Sequence, residues 1–279
     1  MTPLLFVLAV GAISFAAGTL GSLLGLGGGV IVVPALTLLL GIDIRLAIGA
    51  SIISVIATSS GAAAAYVRDR LANLRVAMFL ELGTTSGAIT GAWVAGMLHP
   101  RWLFVLFGVI LAYSAVAMLR GRRVAREAHH HEQRLAKRLA LAASYYDDAR
   151  GAEVEYEPTR PMLGLVLMYL AGVVSGLLGI GSGVLKVPAM DLAMELPIKV
   201  STATSNFMIG VTAAASAALF FARGQIDPFI AAPVAIGVLI GAFTGSKLLG
   251  RLSNRTLRVA FVIVLIVVSV QMLIKGLRG

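Results

Sequence analysis

Eight long apolar runs determine what this chain can fold into. An α-helix needs roughly 20 apolar residues to span a bilayer, and each run is close to that length. They cover residues 4–24, 46–67, 76–98, 102–119, 162–178, 200–222, 229–249 and 257–274. Only 13% of the residues are charged, whereas about 25% are charged in a soluble domain. The pattern predicts an all-α polytopic membrane protein and excludes a β-barrel, whose strands alternate over about ten residues.

The charge distribution indicates membrane topology and not nucleic-acid binding. The formal net charge is +10, but the basic residues lie mostly between the apolar runs, so we expect no nucleic-acid partner. The chain contains no cysteine, which excludes disulfides and thiol chemistry. Its first residues lack the basic region of a signal peptide, so we expect 4–24 to remain as a helix.

A 20-residue segment occurs twice and defines the organisation of the chain. The segment AGTLGSLLGLGGGVIVVPAL at 17–36 aligns without a gap with AGVVSGLLGIGSGVLKVPAM at 171–190. Gly18 corresponds to Gly172, an offset of 154 positions. Further pairs at the same offset are Pro34 and Pro188, Ser51 and Ser205, Gly83 and Gly237, Gly87 and Gly241, Gly91 and Gly245, and Phe107 and Phe261. We therefore predict two related membrane domains, 1–120 and 161–279, joined by a linker at 121–160.

The linker is polar and differs from both repeats. From Arg120 to Arg160 it holds nine basic and seven acidic residues. We predict an exposed helix over about 122–146, followed by an irregular acidic segment. The run His129, His130, His131 could bind a metal, but no second ligand cluster accompanies it. We favour a solvated linker face, and we expect neither a metal nor a cofactor.

The positive-inside rule gives an orientation. If the linker is cytoplasmic, the basic loops at Arg68–Arg75 and Arg251–Arg258 share its side, while Arg45, Arg101 and Arg223 lie outside. The C-terminal Lys275 and Arg278 then also lie outside and count against the assignment. Each half would contain three full crossings plus a glycine-broken hairpin with a short helix. An odd number of crossings predicts two inverted structural repeats, as in many transporters.

The glycine-rich segments are the first candidate site. The apolar stretches 29–41 and 184–196 are too short to span a membrane, so each is predicted to be a half-helix entered through a break, with Pro34 and Pro188 early in it. Broken backbone is tolerated in a bilayer where it is buried in protein or lines a cavity, and free N–H groups at a helix start attract anions. The amides concerned belong to Gly27, Gly28, Gly29, Gly181, Ser182 and Gly183. Glycines can also serve helix packing alone, which we prefer for 83–91 and 237–245. A nucleotide-binding loop is excluded by the spacing.

Polar residues inside the apolar runs are the second candidate set, since such residues are costly and tend to be functional. Lys186 is the best candidate for an anion-binding cation; alternatively it snorkels to an interface or pairs with Asp191 or Glu195. Hydroxyl and amide groups that could hold an oxyanion belong to Ser51, Thr204, Ser205 and Asn206, although such groups often bond their own backbone. Glu81 is a possible coupling residue that carries a proton, or an interfacial residue, which we favour.

The paired segments GSLLGLGGGVIVVP and GLLGIGSGVLKVP, with ATSNFMIGVTAAASA and GVLIGAFTGSKL, resemble the TauE/SafE family of sulfite exporter permeases, also called TSUP. The resemblance covers both halves and omits the linker. It implies a prokaryotic inner-membrane, multi-pass permease for small sulfur-containing anions such as sulfite, thiosulfate, sulfoacetate or related sulfonates. Other small organic anions are known substrates of some members. The linker and the unpaired Lys186 depart from a symmetric two-site design.

These observations predict a secondary transporter that binds a small anion between two inverted halves and works by alternating access. An anion channel, or a carrier of a non-sulfur small organic anion, is the alternative, because channels also use broken helices. An enzyme is disfavoured by the lack of a catalytic constellation. Expected partners are the small anion and the lipid bilayer. A homodimer is possible, and the transport direction and coupling ion stay open.

Overall fold

The computed structural model of the chain describes residues 2–69, 71–120, 139–147, 151–249 and 252–278. The helices of the first half are α1 (Pro3–Leu24), α2 (Gly29–Pro34), α3 (Ile44–Arg68), α4 (Leu74–Ala95) and α5 (Pro100–Arg120). The linker contains β1 (Ala143–Asp147) and β2 (Ala152–Tyr156). The second half contains α6 (Pro161–Leu178), α7 (Gly183–Pro188), α8 (Ile198–Ala222), α9 (Pro228–Leu249) and α10 (Asn254–Arg278). The short helices α2 and α7 continue into π-helical turns over Ala35–Leu39 and Ala189–Ala193.

The long helices confirm the apolar runs. Each of the eight runs falls within one of the eight long helices of the described chain, apart from three residues at the end of the third run. Seven of these helices are long and apolar enough to cross a membrane. The remaining one, α4, carries Arg75 and Glu81, and its counterpart in the second half, α9, is among the seven. The chain is an all-α multi-pass membrane protein.

Element boundaries repeat at the same offset as the sequence. Helices α2 and α7 correspond residue for residue, as do the two π-helical turns and the helices α3 and α8. The six residues of α2 and the five of its π-helical turn extend only about 16 Å at 1.5 Å per residue, half of a hydrocarbon core of about 30 Å. The preceding arms are longer, with 22 residues in α1 and 18 in α6. Each glycine break therefore joins a long arm to a short return arm.

The prolines of the short helices do not lie where we expected them. Pro34 and Pro188 are the sixth and last residues of α2 and α7, not residues of the first turn. A proline at that position has no N–H to donate to the preceding turn, and its ring crowds the carbonyl four residues earlier. The hydrogen-bond pattern widens to the π-helical form directly after each proline, which is how the helix continues past it.

Equivalent helices of the two halves run antiparallel. At one end of the α3–α8 pair the backbone of Gly49 lies against the carbonyl of Gln225, and at the other the Ser59 hydroxyl donates to the Asn206 carbonyl at 2.6 Å. In the α5–α10 pair, Arg101 Nε donates to the Gly276 carbonyl at 3.1 Å and Ser269 Oγ to the Gly108 carbonyl at 2.8 Å. Both pairs therefore bring the start of one helix to the end of its counterpart.

The two halves interlock through glycine faces. Helix α1 packs along α9, and α6 packs along α4. A Cβ atom at Gly87 of α4 would overlap the Tyr169 carbonyl oxygen of α6, and one at Gly241 of α9 would overlap the Phe15 carbonyl oxygen of α1. The preferred packing role of the glycines in 83–91 and 237–245 is confirmed, because the backbones of neighbouring helices touch there.

The linker prediction is wrong where it can be compared. Residues 143–147 form a strand and not the end of a helix, and β1 pairs antiparallel with β2, with Tyr145 opposite Val154. Side chains of β1 alternate, so that Tyr145 and Asp147 are buried while Tyr146 is exposed; this period of two is that of a strand. The acidic segment is also regular, since it contains β2. Residues 139–142 are not helical either. Residues 122–138, which include the His129–His131 run, and also Arg70 and Arg251 lie outside the described residues.

The hairpin is docked onto one end of the helix bundle. Asn73, the residue before α4, donates from Nδ2 to the Leu141 carbonyl at 2.9 Å and to the Tyr156 hydroxyl at 3.1 Å. Burial raises the pKa of Tyr156 to about 12, so this hydroxyl stays neutral. The Asp147 carboxylate forms a 2.7 Å ion pair with Lys199 of α8, and both side chains are buried. The hairpin thus contacts helices of both halves.

A glycine substitution tests the interlocking of the halves. We expect Gly87→Ala to lower stability by about 1–3 kcal/mol, the usual cost of overpacking, since its methyl group would overlap the α6 backbone. Gly11→Ala is the matched control, because a Cβ there meets no atom within 4 Å. The measurement is the melting temperature of the protein purified in detergent. Equal melting temperatures for both variants would contradict the close helix contact.

An Asp147 substitution tests the docking of the hairpin. Removing one partner of a buried ion pair typically costs about 3–5 kcal/mol, because the other charge stays buried. We expect Asp147→Asn to increase amide hydrogen exchange over 141–156, measured by mass spectrometry. Glu153→Gln is the control, because Glu153 bonds only the exposed Ser144 hydroxyl among the described contacts. Unchanged exchange in Asp147→Asn would show that the hairpin is held by its other contacts.

Candidate functional site

The two glycine breaks lie against each other. Helix α1 ends at Gly25 with φ of 70° and α6 ends at Gly179 with φ of 65°, left-handed conformations that favour glycine as a helix end. A Cβ atom at Gly183 would overlap the Gly25 carbonyl oxygen, and one at Gly29 would lie 3.3 Å from the Gly179 carbonyl oxygen. Each short helix therefore begins where the long arm of the other half ends.

Two equivalent serines tie these breaks together. Ser51 Oγ of α3 donates to the Gly179 carbonyl at 2.7 Å, and Ser205 Oγ of α8 donates to the Gly25 carbonyl at 2.8 Å. Both serines are fully buried. The carbonyls at a helix end have no partner within their helix, so each serine supplies a donor to the opposite half. The predicted site residues Ser51 and Ser205 are thus brought to the breaks, with their hydroxyl protons directed at backbone oxygens.

Apolar side chains line the two glycine loops. A Cβ atom at Gly27 would lie 2.5 Å from Ile209 Cδ1, and one at Gly181 would lie 2.6 Å from Val55 Cγ1. Val55 and Ile209 are equivalent residues of α3 and α8, and both are fully buried. Val55 and Ile209 therefore make an apolar contact with both glycine loops.

The start of α7 presents backbone amides beside this contact. The first intrahelical bonds run from the N–H groups of Leu185 and Lys186 to the Ser182 carbonyl, both at 2.9 Å. The amides that precede them have no intrahelical acceptor. Ser182 has a left-handed φ of 59°, and its hydroxyl donates to the Gly181 carbonyl at 2.7 Å. In α2 the first bonds likewise run to the Gly28 carbonyl.

Lys186 forms a polar cluster with Glu81 inside the bundle. Its ammonium group donates to Thr212 Oγ1 at 2.7 Å and lies 3.6 Å from Glu81 Oε2. Glu81 Oε1 accepts from Thr212 Oγ1 at 2.7 Å and from Thr85 Oγ1 at 2.9 Å. The Lys186 side chain is fully buried and that of Glu81 is 14% exposed. We call Glu81, Thr85, Lys186 and Thr212 the Glu81–Lys186 cluster.

The alternatives considered for Lys186 are not what the structure has. A fully buried ammonium group does not snorkel to an interface, and the ion-pair partner of Lys186 is Glu81. Asp191 instead forms a 2.5 Å ion pair with Arg258 of α10. Thr212 lies one helical turn from Ile209 on α8, so the Glu81–Lys186 cluster lies next to the glycine break of the second half.

Two other predicted residues lie elsewhere. Thr204 Oγ1 accepts a 3.0 Å hydrogen bond from the Asn73 backbone N–H at the end of the bundle that carries the hairpin. Asn206 Nδ2 donates to the Ser22 carbonyl at 2.6 Å, an oxygen that also accepts from Tyr66 at 2.9 Å. Asn206 Oδ1 is buried and has no hydrogen-bond partner within the described chain. The predicted set is therefore divided among the breaks, the Glu81–Lys186 cluster and the hairpin end.

Sequence reasoning missed the pairing of Glu81 with Lys186 and the hydroxyls of Thr85 and Thr212. A signal was present in the repeat. At the offset of 154 positions, Glu81 corresponds to Ala235 and Lys186 to Val32. Two opposite charges that both interrupt the same internal repeat are candidates for partners, because buried charges occur paired.

Comparison with known proteins identifies the family. The model of the family described as sulfite exporter TauE/SafE matches residues 10–272. The chain belongs to this family. The resemblance found in the glycine-proline segments is thereby confirmed over nearly the whole chain.

Curated relatives of this TauE/SafE family member carry transporter names. It is 28% identical to the probable membrane transporter protein YunE of Bacillus subtilis, over 94% of this chain and 95% of that protein. It is 26% identical to a probable membrane transporter protein of Xylella fastidiosa, with 94% and 92% covered. A probable membrane transporter protein of Methanocaldococcus jannaschii is 25% identical, with 98% and 96% covered. No solved structure matches the chain. The chain is a membrane transporter.

Loss of a serine hydroxyl tests how the breaks are held. We expect Ser205→Ala to destabilise the protein by about 1–3 kcal/mol, because it leaves the buried Gly25 carbonyl without its donor. Ser216→Ala is the matched control on the same helix, since the buried Ser216 hydroxyl only donates to Ala213 within α8. Thermal unfolding in detergent gives the comparison. If Ser216→Ala lowers the free energy of unfolding as much as Ser205→Ala does, the bond between Ser205 and Gly25 stabilises the protein no more than a bond within one helix.

Proposed function

We propose that this TauE/SafE protein is a secondary transporter that moves a small sulfur-containing anion across the cytoplasmic membrane of a prokaryote. Candidate substrates are sulfite, thiosulfate, sulfoacetate and related sulfonates. The family description supports the sulfur chemistry, and bacterial and archaeal relatives support the prokaryotic membrane. A non-sulfur small organic anion is the alternative substrate that the tests below must exclude.

The buried ammonium group of Lys186 is the observation that carries the proposal. A lysine inside a membrane protein is costly, and such residues line substrate or ion pathways. Lys186 follows the Ser182–Gly183 helix start by one turn, so its charge and the free backbone amides of that start attract the same anion. The amides of Gly28 and Gly29 would contribute from the other half, whereas the Gly27 amide donates to the Gly21 carbonyl. Ser51 and Ser205 hold the breaks in place, and Thr204 and Asn206, on either side of Ser205, bond to Asn73 and Ser22 instead.

Alternating access in this proposal uses two inverted repeats. The antiparallel packing of α3 with α8 and of α5 with α10 supports inversion, because each pair consists of equivalent helices. The apolar side chains of Val55 and Ile209 at the glycine loops would form a barrier that the movement of one half opens. We assign the end of the bundle that carries the linker to the cytoplasm. Two basic residues lie at this end, in agreement with the assignment: Arg75 binds the Ala140 carbonyl and Arg258 binds Asp191.

Substitution of Lys186 tests the substrate site. We expect Lys186→Ala to lower anion affinity at least about tenfold, a loss of 1.4 kcal/mol, in proteoliposome uptake. Lys186→Ala leaves the Glu81 carboxylate without its cation, which could unfold the protein. The double variant Lys186→Ala/Glu81→Gln removes both charges, and we expect it to fold and to bind the anion as weakly as the single variant. Lys247→Ala, at an exposed position on α9, is the control. Unchanged affinity and rate in a folded Lys186 variant would remove Lys186 from the site.

The substrate class and the carrier mechanism need two further measurements. A thermal-shift screen of purified protein with sulfite, thiosulfate, sulfoacetate, taurine, sulfate and acetate identifies the anion. Stabilisation by acetate alone would exclude the sulfur assignment. A carrier shows accelerated exchange when substrate is present on the far side, whereas a channel conducts without such a cycle. Uptake that is insensitive to internal substrate would favour a channel.

A further inference from the structure

Glu81 places a carboxylate of the protein next to the Lys186 ammonium group, the cation of the proposed substrate site. The two carboxylate oxygens of Glu81 have different environments. Oε1 accepts hydrogen bonds from Thr85 and Thr212, while Oε2 is buried without a hydrogen-bond partner within the described chain. The Thr85 and Thr212 contacts hold the carboxylate against Lys186, so Oε2 is the oxygen on which a proton can be placed.

The contact between Lys186 and Glu81 leaves hydrogen-bonding capacity unused. Lys186 Nζ lies 3.6 Å from Glu81 Oε2, whereas a charge-assisted N–H···O bond is about 2.7–2.9 Å long. An ammonium group has three donors, and the hydrogen bond of Lys186 within the described chain goes to Thr212. A substrate oxyanion at this position would compete with Oε2 for the other donors. Lys186 and Glu81 therefore lie close together, but no short hydrogen bond joins Nζ to Oε2.

The charge balance of the cluster decides what must accompany an anion. Without substrate, one positive and one negative side chain make the cluster neutral. Entry of a monoanion would leave one uncompensated negative charge in a buried site, and such charges are expensive. Transfer of one proton from water to Glu81 restores neutrality, with Lys186 then facing the bound anion. The proton is released to water when the anion leaves and the pair forms again.

We propose that Glu81 and the substrate anion compete for Lys186, so that each bound anion is accompanied by one proton on Glu81 and the protein is a proton–anion cotransporter. This inference rests on the proposed function and names its coupling ion. Glu81 takes the place of the substrate anion, because its carboxylate pairs with Lys186 whenever no substrate is bound.

Other titratable groups around Glu81 do not replace Lys186 in this role. Helix α4 packs on α6 and α8. The titratable residue of α6 is Tyr169, and that of α8 is Lys199, which is paired with Asp147. On α4 itself, Arg75 binds the Ala140 carbonyl of the linker. Lys186 of α7 is thus the charged group within ion-pair distance of Glu81 in the described part of the chain.

The internal repeat predicts how many protons are coupled. The positions equivalent to Glu81 and Lys186 are Ala235 and Val32, although Thr58 corresponds to Thr212. The second half-interface keeps a hydroxyl and has neither charge. One carboxylate per chain gives one proton per anion, not two.

Proton movement and anion binding can be measured together in proteoliposomes. Methanesulfonate is a suitable probe, because it is the monoanion of a strong acid and carries no proton of its own near neutral pH. An inward gradient of methanesulfonate should acidify the lumen, read by a trapped pH-sensitive dye, at one proton per anion. Where Glu81 is ionised in the empty site, the apparent Kd should rise about tenfold per pH unit, as linkage to one proton requires.

The variant Glu81→Gln keeps a carbonyl oxygen for the two threonine hydroxyls and removes the titration. We expect it to bind the probe with a Kd that does not change with pH and to transport it without acidifying the lumen. Glu157→Gln, an exposed carboxylate beyond the hairpin, is the matched control and keeps the wild-type pH dependence.

The outcomes separate this inference from the proposed function. Wild-type protein that transports a probe with a pH-independent Kd and no lumen acidification would overturn the inference and leave the transporter intact. So would a Glu81→Gln variant that still moves protons. Failure of the wild type to transport any sulfur-containing anion would overturn the proposed function and the inference with it. The wild-type measurements alone suffice if Glu81→Gln does not fold.

Discussion

The contact between the two helix breaks is the interaction on which the rest of the structure depends. A helix that ends inside a membrane leaves carbonyl groups that no water can satisfy, and each unpaired group would cost several kcal/mol. Ser51 and Ser205 solve this problem reciprocally, because each donates to the helix end of the opposite half. The glycines allow the backbones to approach closely enough for these bonds. Neither break can therefore exist without the other half.

Much of the fold could be predicted from the sequence because the responsible signals are local or periodic. Apolar length identifies the long helices, and the gapless repeat identifies matching breaks and short helices. The position of Pro34 within its helix could not be predicted, since the helix start depends on where the chain leaves the Gly25–Gly28 turn. The hairpin of Tyr145 and Asp147 was missed because a five-residue strand carries little signal beside a charged run that is typical of a helix.

The candidate site was predicted residue by residue but not as an arrangement. Lys186 was recognised as costly inside a membrane, whereas an interfacial position was favoured for Glu81, which instead lies beside Lys186. Their pairing joins helices from different halves, and sequence spacing contains no information about that distance. Thr204 adjoins Ser205 in sequence but points to another side of α8, where it accepts from Asn73. A helix separates neighbours by about 100° around its axis, so adjacent polar residues serve different surroundings. The repeat supplied the symmetry, and the departures from it marked the functional residues.

The interlocking of the halves constrains how the protein is made. The glycine face of α1 is covered by α9, and α9 leaves the ribosome only after α2 to α8. Until α9 is made, lipid must cover the glycine face of α1, which packs against the α9 backbone in the folded protein. The first half is consequently not a folding unit during synthesis, although it is a complete repeat in sequence. A membrane chaperone or early lipid contacts would have to protect α1. Truncation before residue 228 would remove α9 and leave α1 without its native partner, although α4 and α6 would keep each other.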